Sequence, residues 1–191
     1  MTKMLLASLA LTTLFSTQAL AEGSDLYVGF DIIQNSHTFT FEGNGNSSDA
    51  DLDSSGFKLK IGTVSDNGWR FQGYFENITY EETLFDNTHD SLSEIGFDVI
   101  KGFEITPEFT PFLQGGLGYG WIDVDGYSED SIAEFNLKIG VGVAYKIIPA
   151  FELIAGADLQ FRSWQDIEVI GTIIETSEST TKLYVGGNFH F

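Results

Sequence analysis

The chain has 191 residues, a formal charge of −19, no cysteine, only three prolines, and 14% aromatic residues. Disulfides and thiolate metal sites are excluded, and nucleic acid is a poor partner, because phosphate binding needs a basic patch. Abundant Phe, Trp, Tyr and Gly with little Pro is a β-rich composition.

Met1–Ala21 carries Lys3, an apolar run from Met4 to Phe15, and the small-residue ending Gln18-Ala-Leu-Ala21. That order predicts a cleaved secretion signal over 1–21 and one domain over 22–191. Its apolar run is shorter than the roughly 20 residues a membrane helix needs. No other stretch is apolar enough for such a helix. Loss of Lys3 leaves the mature chain at −20, one below the −19 of the whole.

Eight segments then alternate with period two, the signature of strands with unlike faces. The first, from about Leu26, sets Val28, Phe30 and Ile32 against Tyr27, Gly29 and Asp31. The second sets Phe57, Leu59 and Ile61 against Lys58, Lys60 and Gly62. Ser65-Asp-Asn-Gly68 is a hairpin turn. The third sets Trp69, Phe71, Gly73 and Phe75 against Arg70, Gln72, Tyr74 and Glu76. The fourth sets Ile95, Phe97 and Val99 against Glu94, Gly96 and Asp98.

The fifth places Leu113, Gly115, Leu117, Tyr119 and Trp121 opposite Phe112, Gln114, Gly116, Gly118 and Gly120. The sixth places Phe135, Leu137, Ile139, Val141, Val143 and Tyr145 opposite Glu134, Asn136, Lys138, Gly140, Gly142 and Ala144. The seventh places Phe151, Leu153, Ala155, Ala157, Leu159 and Phe161 opposite Glu152, Ile154, Gly156, Asp158, Gln160 and Arg162. The last places Leu183, Val185, Gly187, Phe189 and Phe191 opposite Lys182, Tyr184, Gly186, Asn188 and His190.

Connections alternate in length. Ser65–Gly68, Lys101–Glu108 and Lys146–Ala150 are short. Glu42–Ser55, Glu81–Ser91, Ile122–Ala133 and Trp164–Thr180 are long and polar, hold sixteen acids, and contain no Lys or Arg. Short turns on one side and long loops on the other are the outer-membrane pattern. In that pattern apolar residues face lipid and charges face the lumen. The apolar face is uninterrupted on every strand, and its aromatics lie near strand ends: Trp69, Trp121, Tyr145, Phe151, Phe189 and Phe191. The inward set becomes an ion-pair network of Asp31, Lys58, Lys60, Arg70, Glu76, Glu94, Asp98, Glu134, Lys138, Glu152, Asp158, Arg162 and Lys182.

The final strand, ending on Phe191 downstream of a secretion signal, resembles the terminal strand of bacterial outer-membrane barrels, which their assembly machinery reads. Thr110-Pro-Phe-Leu-Gln-Gly-Gly-Leu-Gly-Tyr-Gly120 is similar to the fifth strand of the opacity-protein and OmpA transmembrane-domain type. The resemblance covers everything after Ala21. It implies an all-β, eight-stranded antiparallel up-and-down transmembrane barrel in the bacterial outer membrane. OmpA-like proteins often carry a periplasmic peptidoglycan-binding domain; with nothing after Phe191, none is expected.

Sites for chemistry are few. Gly115–Gly120 lacks the Gly-Lys-Ser/Thr ending of a phosphate loop. Inward Gly116, Gly118, Gly120, Gly140, Gly142 and Ala144 instead leave one wall bare, opposite Asp31, Lys58 and Lys60. Asp49-x-Asp51-x-Asp53 lacks the Gly and Glu of an EF-hand. Solvated loops are the plain reading of the acids, and divalent cations shared with lipopolysaccharide phosphates the functional one. The lipid A palmitoyltransferases use a His and an Asp-Ser on an eight-stranded barrel. His37, His89, Asp90 and Ser91 match in type, but no amphipathic helix precedes the first strand and the interior is charged.

No catalytic residue, metal or cofactor is therefore expected. The expected function is a monomeric structural or surface-interaction protein presenting acidic extracellular loops. A narrow porin-like channel is the alternative, and a lipid-modifying enzyme the third reading. Expected partners are outer-membrane lipids, lipopolysaccharide, the barrel-assembly machinery and an extracellular ligand that the sequence does not identify.

Overall fold

The computed structural model describes residues 24–43, 46–85, 88–125, 130–169 and 172–191. The expected signal, 1–21, lies outside them. Nine strands follow in order: β1 (Ser24–Gly43), β2 (Asn46–Ser65), β3 (Trp69–Tyr80), β4 (Ser91–Gly102), β5 (Phe109–Asp123), β6 (Ser131–Ile148), β7 (Phe151–Trp164), β8 (Ile167–Val169) and β9 (Thr172–His190). Eight of them form the wall. Each pairs antiparallel with its neighbour, and β1 pairs with β9, so the sheet closes on itself. The extra strand, β8, is a three-residue ribbon on the far end of β9.

Closure removes every edge within the wall and satisfies the backbone without water. Partners traced from Phe30 run through Leu59, Phe75, Ile95, Tyr119, Phe135, Ser163 and Ser177. They return to β1 at Thr40, ten residues along. That stagger over eight strands tilts them by about 40°. Each residue then climbs about 2.5 Å along the barrel axis.

Turns at the end with both termini are tight. Gly68 supplies the left-handed backbone (φ 80°) that closes Ser65–Gly68, where its N–H donates to Ser65 O at 2.8 Å. The opposite end departs from the sequence reading. Glu42–Ser55 and Trp164–Thr180, read as loops, are largely strand: β1 runs to Gly43, β2 starts at Asn46, and β9 starts at Thr172. The alternation there pairs polar with polar residues, so no apolar stripe marks it. Backbone pairing carries these strands beyond the apolar band, with Thr38 opposite Asp51 and Glu42 opposite Glu175.

Outside and inside are the reverse of a soluble barrel. Ile32, Ile139, Val141, Leu183 and Val185 are all more than half exposed, whereas Asp98 and Lys182 are fully buried. An apolar exterior over charged contents requires apolar surroundings.

Candidate functional site

The lumen holds the charged side chains, and it is filled. At the turn end, Arg70 pairs with Glu152 from across the barrel, with Arg70 Nη2 donating to Glu152 Oε2 at 3.2 Å. Asn188 donates to the same carboxylate at 2.8 Å, and His190 Nε2 lies 3.3 Å from it. An apolar patch of Ile33, Ile100, Phe112, Ala144, Ile154 and Tyr184 sits above. A cavity of about 20 Å³ remains beside it, lined by Tyr27, Asp31, Lys58, Lys60, Arg70 and Gln72 among others. That is room for about one water molecule.

The middle of the lumen is a lattice of ion pairs. Lys60 donates to both oxygens of Asp31 at 2.6 and 2.8 Å. Lys182 (2.5 Å) and Lys58 (3.2 Å) share Glu76. Lys138 reaches Asp98 at 2.8 Å and stands 3.7 Å from the centre of the Tyr74 ring, a cation–π contact. Gln114 donates to Asp158 at 2.5 Å. Above them Arg162 reaches Glu94 (3.1 Å), Glu134 (3.8 Å) and Glu178. Tyr74 and Gln160 also donate to Glu94.

All thirteen residues assigned to the network from the sequence point inward and are buried. The bare wall makes room for them. A Cβ on Gly116 would stand 2.1 Å from Asp98 Oδ1 and 2.8 Å from Lys138 Cε, so only glycine lets that pair cross. The six aromatics lie on the outer face or its ends. Trp69, Tyr145, Phe151, Phe189 and Phe191 gather at the turn end, and Trp121 stands at the other.

Two features were missed in the sequence. Glu178, counted among the loop acids, is buried and belongs to the lumen, where Arg162, His37, Thr180 and Trp164 converge on it. Its parity with Lys182 was the available signal. The second is an apolar cap inside the loop end: Phe39, Ile78, Tyr80, Leu92, Ile122, Val124, Ile132, Trp164 and Ile167 form one cluster, with Leu84 and Phe85 packed against it. These residues continue the inward face beyond the outer apolar band; Ile122, Val124, Ile132, Trp164 and Ile167 fall within the long links of the sequence reading, and Phe39, Ile78, Tyr80 and Leu92 lie just outside its strand faces.

The enzyme reading is not assembled here. His37 lies within β1 and faces the lumen; Ser91 is exposed and accepts from Asn77 on the outer face. His37 does have Glu178 at 2.6 Å on Nδ1 and Ser54 at 2.7 Å on Nε2. That is the order of acid, base and nucleophile. However, Phe39 and Tyr80 pack on the imidazole, and Ser54 and His37 are each 1% exposed. Asp86 and Glu129 among the loop acids lie outside the described residues.

A family model described as an outer membrane protein beta-barrel domain matches residues 7–191. No curated protein sequence matches. Solved structures that share the fold include these three. Neisserial surface protein A is 19% identical, with a TM-score of 0.59 over 89% of this chain and all of that one. The outer membrane protein AlkL is 9% identical, with 0.58 over 88% and 90%. OprG from Pseudomonas aeruginosa is 10% identical, with 0.54 over 88% and 96%.

Proposed function

This chain belongs to the outer-membrane β-barrel family, and from that premise we propose a non-enzymatic surface protein whose lumen is a structural plug. Its working part is the sheet that β1, β2 and β9 raise beyond the apolar band. The observation that carries this reading is the series of blocks inside the barrel. An apolar cap, a carboxylate–arginine cluster, a lysine–carboxylate lattice and a turn-end pair follow one another, and the cavity beside Tyr27 and Lys60 has room for about one water molecule. A solute would have to part all four.

The raised sheet supports the rest. Its outer face carries Thr38, Thr40, Asp49, Asp51 and Asp53, and Thr38 and Thr40 each donate to an Asp at 2.9 Å. Such a face offers acceptors and hydroxyls, suited to a hydrated or cationic partner. Placement of the turns in the periplasm and of this sheet outside the cell belongs to the same proposal, as do a monomeric state, contact with lipopolysaccharide, and recognition of the β9 end by the assembly machinery.

Conductance of the purified barrel in planar bilayers tests it. The plug reading expects a baseline indistinguishable from bilayer alone. Stable single-channel steps would favour the narrow-channel reading instead.

A further inference from the structure

The apolar belt is not the same height all round. On β5, β6 and β7 the outward apolar run extends from Leu113 to Trp121, from Phe135 to Tyr145, and from Phe151 to Phe161. On β2, β3 and β4 it extends only from Phe57 to Ile61, from Trp69 to Phe75, and from Ile95 to Val99. At about 2.5 Å of axial climb per residue, the β6 run is about 25 Å tall and the β4 run about 10 Å. An outer-membrane belt is about 25 Å. One wall fits and the other falls short.

Polar groups bound the short wall at both ends. Ser55, Asn77, Ser91 and Ser93 stand immediately above Phe57, Phe75 and Ile95. Asn77 Nδ2 donates to Ser91 and Ser93 at 3.1 Å. Below Val99, Lys101 lies along Trp69, 5.3 Å from its ring centre, and donates to Asn67 O at 2.5 Å. A lysine stem along an apolar surface with its head at the rim is a snorkelling arrangement.

Depth follows from the pairing. The path Asn77–Ser93–Trp121–Ala133 crosses three pairings. Each crossing climbs by an eighth of the ten-residue stagger, so the β6 residue level with Asn77 is Leu137. The path Lys101–Leu113–Val141–Ala157 likewise puts Lys101 level with Leu153 on β7. Polar and apolar residues thus share a height on opposite sides at both ends of the barrel. The two belts have a common midline. A tilt of the barrel would shift the whole short wall one way along the membrane normal, bringing one polar rim toward water and carrying the other deeper, so it cannot bring both to water.

We infer that the β2–β4 wall is a headgroup-binding face, against which both leaflets thin so that lipid headgroups descend to Asn77 and Ser93 at one end and Lys101 at the other. A short belt is accommodated by thinning, snorkelling or association. Hydrogen-bonding side chains at both rims fit lipid headgroups. This rests on the membrane location alone, not on the plug or on which end faces outward.

The test uses the full barrel in phosphatidylcholine vesicles with a nitroxide attached singly through Asn77→Cys, Leu137→Cys, Lys101→Cys or Leu153→Cys. Collisions with a water-soluble nickel chelate should be several-fold more frequent at 77 and 101 than at 137 and 153. Equal accessibility at 77 and 137 would overturn the inference. So would a wet 77 with a dry 101, the mark of a tilted barrel. Spin–spin broadening at 77 that grows with the protein-to-lipid ratio would give the wall to a second copy instead. As an independent check, Ser55→Leu/Asn77→Leu/Ser93→Leu lengthens the short wall by two residues per strand. Its most stabilising bilayer should be about 5 Å thicker at that leaflet, and an unchanged optimum would also overturn the proposal.

Discussion

Lys182 on β9 and Glu76 on β3 meet at 2.5 Å, although no hydrogen-bonded edge joins their strands. The pair spans the lumen. It acts as a strut between opposite walls, with Lys58 completing the triad at 3.2 Å. Both groups of the strut are essentially inaccessible to water, so each depends on its partner for the solvation it gave up.

Losing one side of such a strut should be costly. Lys182→Met leaves Glu76 with Lys58 alone and should lower stability by about 3 kcal/mol. Arg162→Leu should cost at least as much, because Glu94, Glu134 and Glu178 then face one another without a cation. Urea unfolding in lipid vesicles reads both. The double variant Lys182→Met/Glu76→Leu should recover part of the single loss, and no recovery would mean that the two groups are not coupled.

The glycine wall makes a separate prediction. Gly116→Val forces a side chain into the Asp98–Lys138 crossing and should destabilise by about 1–3 kcal/mol, as overpacking does. Gly115→Val, one residue along on the outer face, meets only Lys138 O at 3.8 Å and should be tolerated. Equal effects at the two positions would contradict the facing of β5.

At mid-belt, Val141→Arg places a guanidinium among lipid chains and should cost roughly 2–4 kcal/mol. Gly142→Lys faces inward, where a new Cβ would lie 2.3 Å from Phe112 Cζ. Its penalty comes from crowding. Refolding in a thinner bilayer should shrink the first penalty and leave the second unchanged.

Orientation is read by labelling. Cysteines replacing Ser47, Thr88 and Ser177 should react with an impermeant reagent on intact cells, while one at Asn67 should not. Reaction at Asn67 alone would turn the barrel over. Ser128, the corresponding position in the third long link, lies outside the described residues.

Period-two alternation, read along the chain, determined the eight wall strands and which residues face lipid. That signal is local, because neighbouring side chains on a strand point to opposite sides and the two sides meet unlike surroundings. It failed where both sides are polar. There the extension of β1, β2 and β9 beyond the belt, and with it the inward place of Glu178, depends on backbone pairing between distant segments. It failed again where the inward face turns apolar, because Phe39, Ile78 and Trp164, on β1, β3 and β7, become a cap only when the closed sheet brings them together. Above all, the partner of each charge was decided by closure. The ten-residue stagger sets which heights coincide around the ring, so it chooses Glu76 for Lys182 and Asp98 for Lys138. No strand carries that stagger alone; it belongs to the closed sheet.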